Sequence, residues 1–467
     1  MRTLLTLSLI LMLLGCSIPD PLLERIKQGG ELRVVTRNSG TTLYEGKDGL
    51  TGLEYDLIML FTEEIGVKPH FILPDEFDKI LPLVANGEAH LAAAGLTVTR
   101  GRETSIRFGP AYQEITQQVV YLGGTKRPRK VEDLIGKNIE ILKGSSHEEE
   151  LINLVKTYPD LKWTARTDME TGELLQRVED GVIDITIADS NEVAVNRRFL
   201  HNIRVGFDLT KPQKLAWAVA HAEDASLYKA VQRFFDRIRK DGTLKQLIER
   251  HYGHVGRLDF VESKTFLRHM KKRLPVYLDW FKQAAVENDM DWQMLAAIGY
   301  QESHWDPKAK SPTGVKGIMM LTQATAKQLG IKSRLDPKQS IFGGARYLKN
   351  IEQKLPDRIE QPDKFWLTLA GYNVGFGHLE DGRILTQRLG GDPDKWSDVK
   401  QHLPKLSLKK WYSTLKHGYA RGQEPVNYVD NIRAYYELLN WQLEQNKPVK
   451  PPPPELPYGM TIMPQPL

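Results

Sequence analysis

One carboxylate stands in a setting that could perturb it. Glu302 lies in the run Leu295–Pro307, which reads L-A-A-I-G-Y-Q-E-S-H-W-D-P. If residues 290–303 form one helix, then Leu295, Ile298, Gly299 and Glu302 are three and four apart and share a face. Pro307 disfavours helix at Asp306, so Glu302 falls near the helix C-terminus. Burial and the negative end of the helix dipole both disfavour the anion. A glutamate kept protonated near neutral pH is what a general acid needs. The same residue could equally lie on the solvent side of a helix end, and the segment alone does not choose. His304 has no second histidine or carboxylate at ligand spacing, so no metal is expected, and no other cofactor.

Around this candidate the chain is long and ordinary in composition. Its 467 residues exceed a single typical core, so two or three domains are expected. With 41% hydrophobic and 26% charged residues it reads as soluble and globular. The net charge of +5 permits attraction to anionic envelope polymers. No basic run carries interleaved aromatics, so nucleic acid is not an expected partner. The single cysteine, Cys16, excludes an internal disulfide and a cysteine-based zinc site. It follows a basic start and an apolar run, Leu4–Leu14, too short to span a bilayer comfortably. No later stretch is long and apolar enough to be a transmembrane helix.

The elements that must position the site fall into two halves. From Glu31 to about 251, short apolar strands such as 32–36, 70–73, 91–94, 139–142 and 184–188 alternate with helical patterns, which argues for α/β with mostly parallel sheets. Gly253–Ser263 is glycine-punctuated and marks a boundary. Beyond it the pattern is helical over 265–285, 290–304, 322–329, 340–354, 364–372 and 425–443. Gly390-Gly391-Asp392-Pro393 marks a loop, and the proline-rich tail from Pro448 is expected to be extended or disordered.

Three resemblances add to this reading. L-L-G-C at 13–16 resembles a bacterial lipobox, which implies a signal peptide over 1–15, a lipidated Cys16 and a tether over 16–29. Ser17 after the cysteine implies the outer membrane, with the protein on its periplasmic face. Residues 30–255 resemble the periplasmic solute-binding proteins of the polar amino-acid type, through G-E-L-R-V-V-T (30–36), G-L-T-V-T-R-G-R (95–102), K-G-S-S (143–146) and D-I-T-I-A-D (184–189). This implies a two-lobed, non-catalytic domain, one lobe of about 30–115 plus 210–255 and the other of about 116–209. It would bind an amino-acid or muropeptide effector through Thr97, Arg102, Ser145, Ser146 and Asp189. Arg102 would clamp a carboxylate, and Asp189 would accept from an ammonium. A domain that kept its fold and lost its ligand, with Arg102 merely salt-bridged, is the alternative.

Residues 265–447 resemble the goose-lysozyme-like lytic transglycosylases, followed by the tail over 448–467. The likeness rests on Q-E-S-H-W-D-P (301–307) with the glycine-rich segment to Leu321, on L-A-G-Y-N-V-G (369–375) and on N-Y-V-D-N-I-R-A-Y-Y (427–436). It departs at Met320, where many relatives have glutamine. The resemblance implies a mainly α domain that cleaves the MurNAc–GlcNAc β-1,4 bond of peptidoglycan without water, leaving 1,6-anhydro ends. Glu302 would be its catalytic residue, acid and then base. Ser303, Met319, Tyr372, Asn373 and Tyr428 would line the substrate groove. The absence of a second motif carboxylate favours attack by the substrate's own N-acetyl group. A hydrolytic muramidase, or a lipoprotein binding module with an inert enzyme domain, are the alternatives. The whole arrangement resembles the F type of membrane-bound lytic murein transglycosylases.

Overall fold

The computed structural model describes residues 20–46, 49–255, 260–311, 314–445 and 461–462. Cys16, the segment before it and most of the proline-rich tail lie outside these residues.

The first half is built on a sheet whose central strand is Glu31–Val35. Lys68–Leu73 and Leu91–Ala92 flank it in parallel. Ala218–Ala220 then pairs antiparallel with Leu91–Ala92, and Ile106–Phe108 antiparallel with Ala218–Ala220. Apolar residues cover both faces: Trp217, Phe61, Phe234 and Phe235 are buried on one side, Ile80, Val84 and Ile106 on the other. The chain leaves this lobe through Gln113–Ile115 and returns through Gln213–Leu215, two strands that pair antiparallel where the lobes join. The second lobe holds Gln117–Leu122 between Ile185–Asp189 and Ile203–Asp208, all antiparallel, beside a parallel pair, Glu140–Leu142 with Thr164–Arg166. The sheets are therefore mixed rather than mostly parallel. Short apolar strands look alike in either direction, so composition does not reveal strand polarity.

The second half is helical, and its helices are numbered from its start. They are α1 (Phe260–Lys272), α2 (Leu274–Glu287), α3 (Trp292–Ser303), α4 (Gln323–Gln328), α5 (Pro337–Glu352), α6 (Asp363–Val374), α7 (Phe376–Arg388), α8 (Trp396–His402), α9 (Lys409–Tyr412) and α10 (Gln423–Gln445). The single helix expected over 265–285 is two, because Pro275 cannot supply a mid-helix amide and sits instead in the first turn of α2. α1 starts at Phe260, inside the segment read as a boundary. Helix α7 has no clear sequence signal, since glycines at 375, 377 and 382 interrupt its pattern. Gly382 is there because a Cβ would stand 2.6 Å from Leu403 Cδ2. Thr461–Ile462 adds a short parallel strand beside Ile72 and Leu73 at the edge of the first sheet.

The two halves meet along α10. Arg433 Nη1 lies 2.8 Å from Glu249 Oε1 of the first lobe, and Lys400 Nζ lies 3.0 Å from the same oxygen. One turn on, Glu437 pairs with Arg198 of the second lobe, and its Oε1 is 2.5 Å from His254 Nε2. Another turn on, Trp441 stacks on Phe199, ring centroids 5.0 Å apart. Burial alone would raise the Glu437 carboxyl, but Arg198 and His254 outweigh it and hold it well below the usual range. Arg433, Glu437 and Trp441 are four apart, so one stripe of α10 faces both lobes.

Candidate active site

Helix α3 is capped by Asp291, whose carboxylate accepts the amide of Gln293 at 2.8 Å. Met294 to Tyr300 are buried without a break, so the helix is enclosed on all sides by α2, α10 and their neighbours. The apolar stripe inferred from spacing is thus part of an apolar cylinder, as in the centre of larger helical cores. Gly299 permits this closeness, since a Cβ there would be 2.9 Å from Phe281 Cζ. The helix stops at Ser303 because His304 and Trp305 turn to positive φ (53° and 56°). Trp305 is held there by its indole N–H, which donates to Ala296 O at 2.9 Å.

Glu302 occupies the last turn, half-buried. The Tyr428 hydroxyl donates to its Oε1 at 2.5 Å. Burial pushes its carboxyl up to about 8, and the Tyr428 bond pulls the other way. No neighbouring charge contributes, so burial is what keeps this acid protonated. At neutral pH such a group can deliver a proton and, once ionised, can take one back.

Tyr428 itself is 5% exposed, on the first turns of α10. Tyr372, near the end of α6, lies parallel to it with ring centroids 6.5 Å apart and donates to Met319 O at 2.7 Å. These two rings form the wall beside the carboxylate. Asn373 is exposed, and among the described residues its amide has no hydrogen-bond partner. Ser303 is turned away: its Oγ lies 2.9 Å from Ile318 O and 3.1 Å from Gly299 O, tying the helix end to the glycine-rich segment. Met319 is fully buried against Gly344 and is part of the core. Met320 follows at φ 44°, in the turn closed by its amide on Gly317 O at 3.1 Å. That turn needs Gly317, whose φ is 86° and where a Cβ would be 1.9 Å from Arg334 O.

The residues named for an effector lie together at the junction of the lobes. Arg102 is 6% exposed. It donates to Glu149 Oε1 at 2.9 Å, to Thr97 O at 3.1 Å and to Gly144 O at 3.0 Å, so it bridges the lobes itself. Ser146 Oγ is 3.2 Å from Thr97 Oγ1, also across the junction. Asp189 pairs with His147 at 2.9 Å, while Ser145 caps the helix Ser146–Val155 by accepting from Glu148 N. Sequence reading missed a second buried arginine, Arg37. It reaches from the first lobe to Glu170 at 3.0 Å and to Glu192. Glu54, which accepts from Tyr112 nearby, is pushed up to about 7 by burial. Nothing in the spacing of the acids at 149, 170 and 192 ties them to arginines far away in the chain.

Among the described residues no cluster of histidine, cysteine or carboxylates could hold a metal ion. Likewise no helix is long and apolar enough to cross a membrane.

Comparisons with known proteins agree with this division. Residues 32–254 match the bacterial extracellular solute-binding proteins, family 3, and residues 279–391 match the transglycosylase SLT domain. The chain is 48% identical to the membrane-bound lytic murein transglycosylase F of Stutzerimonas stutzeri, over 94% of this chain and 90% of that one. It is 46% identical to that of Saccharophagus degradans, over 93% and 87%. Among solved structures, the ancestral amino acid-binding protein AncCDT-1, a precursor of cyclohexadienyl dehydratase, aligns with 49% of this chain and 99% of its own at 25% identity and TM-score 0.44. With a binding-protein-like α/β half, a helical transglycosylase half and this identity over nearly its whole length, the chain belongs to the membrane-bound lytic murein transglycosylase F family and is a peptidoglycan lytic transglycosylase.

Proposed function

We propose that Glu302 alone supplies the proton transfers of the reaction. Protonated, it donates to the oxygen of the MurNAc–GlcNAc bond as that bond breaks. The muramyl N-acetyl oxygen attacks the anomeric carbon and holds it as a bicyclic intermediate. The Glu302 carboxylate then takes the proton of the muramyl 6-hydroxyl, whose oxygen displaces the N-acetyl oxygen and closes the 1,6-anhydro ring. The observation that carries this is the hydrogen bond from Tyr428 to a half-buried Glu302, whose carboxyl burial raises to about 8 with no second carboxylate acting on it. Tyr428 would orient the acid, the exposed Asn373 would hold the N-acetyl group, and Tyr372 would wall the groove. Mass spectrometry of released muropeptides tests the reading. Wild type is expected to give anhydro products, one water lighter than hydrolytic ones, and Glu302→Gln none. Hydrolytic products, or an active Glu302→Gln, would overturn it.

For the first domain we propose binding of an amino acid or a muropeptide stem, whose carboxylate would displace Glu149 from Arg102. Opening and closing of the lobes would then reach the active site through α10. Residues 1–15 are proposed as a signal peptide and Cys16 as a lipidated anchor in the outer membrane, with 30–255 and 265–447 as the two working units.

A further inference from the structure

The segment joining α8 to α10 carries a charge imbalance that the reaction does not use. From Val399 to Gln423 there are six lysines and arginines, two histidines, and no aspartate or glutamate. The fold closes this segment on itself. The amide of Ala420 donates to Leu406 O at 3.2 Å. Gly422 packs so tightly on Leu403 that a Cβ would lie 1.7 Å from its carbonyl oxygen. The closed loop carries α9 at the surface, with Lys409 and Lys410 exposed and Trp411 and Tyr412 half-buried. Lys409, Lys410 and Lys416 are exposed, and among the described residues none of them has an ion-pair partner within 4.0 Å. Arg388 of α7 adds a further cation at the edge, donating to Thr414 O at 3.3 Å.

Aromatic surface lies among these charges. Lys410 Nζ sits 4.9 Å over the Trp411 ring, and Tyr412 meets Tyr419 edge-on at 5.7 Å. Tyr419 is 55% exposed and Leu408 53%. Like charges so close repel one another, and exposed aromatics gain nothing from folding. Both are explained by a partner that is anionic and presents flat apolar faces.

The loop is also bolted to the active-site elements. Asp381 of α7 accepts the amides of His417 at 2.7 Å and Lys416 at 3.3 Å. The His417 ring occupies the space beside Gly377, where a Cβ would be 2.7 Å from its Cε1. Gly377 is four residues past Asn373, and the loop's far end runs straight into α10 and Tyr428. The loop is thus tied at one side to α7, the helix that follows Asn373, and at its end to α10, the helix of Tyr428. The strand in the groove bears peptide stems, whose carboxylates supply the negative charge, and sugar rings, whose faces stack on aromatics.

We propose that the loop 405–421 is a docking surface for the anionic peptide stems of the glycan strand, so that peptide-bearing strands are cleaved in preference to denuded ones. This rests on the transglycosylase activity of the chain and is independent of which group acts as its acid. The test is the triple charge reversal Lys409→Glu, Lys410→Glu, Lys416→Glu in the otherwise intact chain. Steady-state cleavage is measured on whole sacculi and on strands stripped of stems by an amidase. The ratio of kcat/KM on peptide-bearing to denuded strands is expected to fall about tenfold, through KM. The loss should shrink as salt rises from about 50 to about 300 mM. The triple Lys→Arg variant is expected to keep the wild-type ratio, which separates charge from misfolding. An unchanged ratio, or equal losses on both substrates, would overturn the proposal. So would loss of binding to anionic phospholipid vesicles with the ratio intact, which would assign the loop to the membrane instead. Failure of the wild type to release anhydro products from either substrate would instead count against the reaction itself.

Discussion

Replacing Glu302 by glutamine is expected to make the protein more stable as it becomes inactive, and the gain should depend on pH in a defined way. Burial raises this carboxyl from its ordinary 4.5 to about 8. A raised folded-state value means the folded chain holds a proton that the unfolded chain has released. The stabilising contribution of the neutral acid is therefore fully present below about pH 4.5 and is lost as pH rises through about 8. Each unit between costs about 1.4 kcal/mol, so at neutral pH the ionisation penalty is about 3 kcal/mol. Glu302 is half-buried rather than sealed, and solvent screening brings this down to about 1–2 kcal/mol. Glutamine has the same shape, offers Tyr428 an acceptor and has nothing to ionise. Urea unfolding of both proteins from about pH 4 to 9 isolates the effect, because all other titrating groups cancel in the difference. The two should agree within about 0.5 kcal/mol at the acid end, diverge in favour of the variant, and run parallel above about pH 8. A difference that stays flat across the range would refute the claim that Glu302 is held protonated by burial.

Three further outcomes follow from the geometry. Tyr428→Phe removes the bond that favours the Glu302 anion, so the alkaline limb of kcat/KM should move to higher pH while kcat falls about tenfold. Gly317→Ala should lower stability by about 3 kcal/mol or more, read as a drop in melting temperature, because the new Cβ meets Arg334 O and φ is unfavourable. Arg198→Ala and Glu437→Gln should show a coupling of about 1 kcal/mol in a double-mutant cycle on unfolding, since the two form a half-buried ion pair.

The surroundings of Glu302 are more legible in the sequence than the junction of the two lobes, for physical reasons. Glu302 is legible because its helix shows apolar residues three and four apart and is followed by a proline at 307. Tyr372, Asn373 and Tyr428 were reached only through ordered motifs, since nothing local brings Tyr428 across 126 positions to Glu302. Spacing does not say which carbonyl a hydroxyl will find, and the Ser303 hydroxyl bonds Gly299 O and Ile318 O. The ion pairs between the lobes were invisible, because each joins residues remote in sequence, Arg37 to Glu192 and Arg102 to Glu149. The contact stripe of α10 was, by contrast, readable in principle. Arg433, Glu437 and Trp441 recur every four residues, beside the apolar run Ile432, Tyr435, Leu438 and Leu439 that packs into the core, so they share one stripe, a seam next to a buried face.

That seam bears on whether the two halves are modular. The helix that presents Tyr428 to Glu302 also carries the cation, anion and indole that dock the first half, so the enzyme has no neutral cutting point. A shortened chain starting near 265 would bare Arg433, Glu437 and Trp441 together and leave Glu437 without Arg198 and His254. Its altered activity would report a disturbed α10 as much as a missing first half. Grafting a different binding domain onto this catalyst would require carrying over Arg198, Phe199, Glu249 and His254 as a matched set.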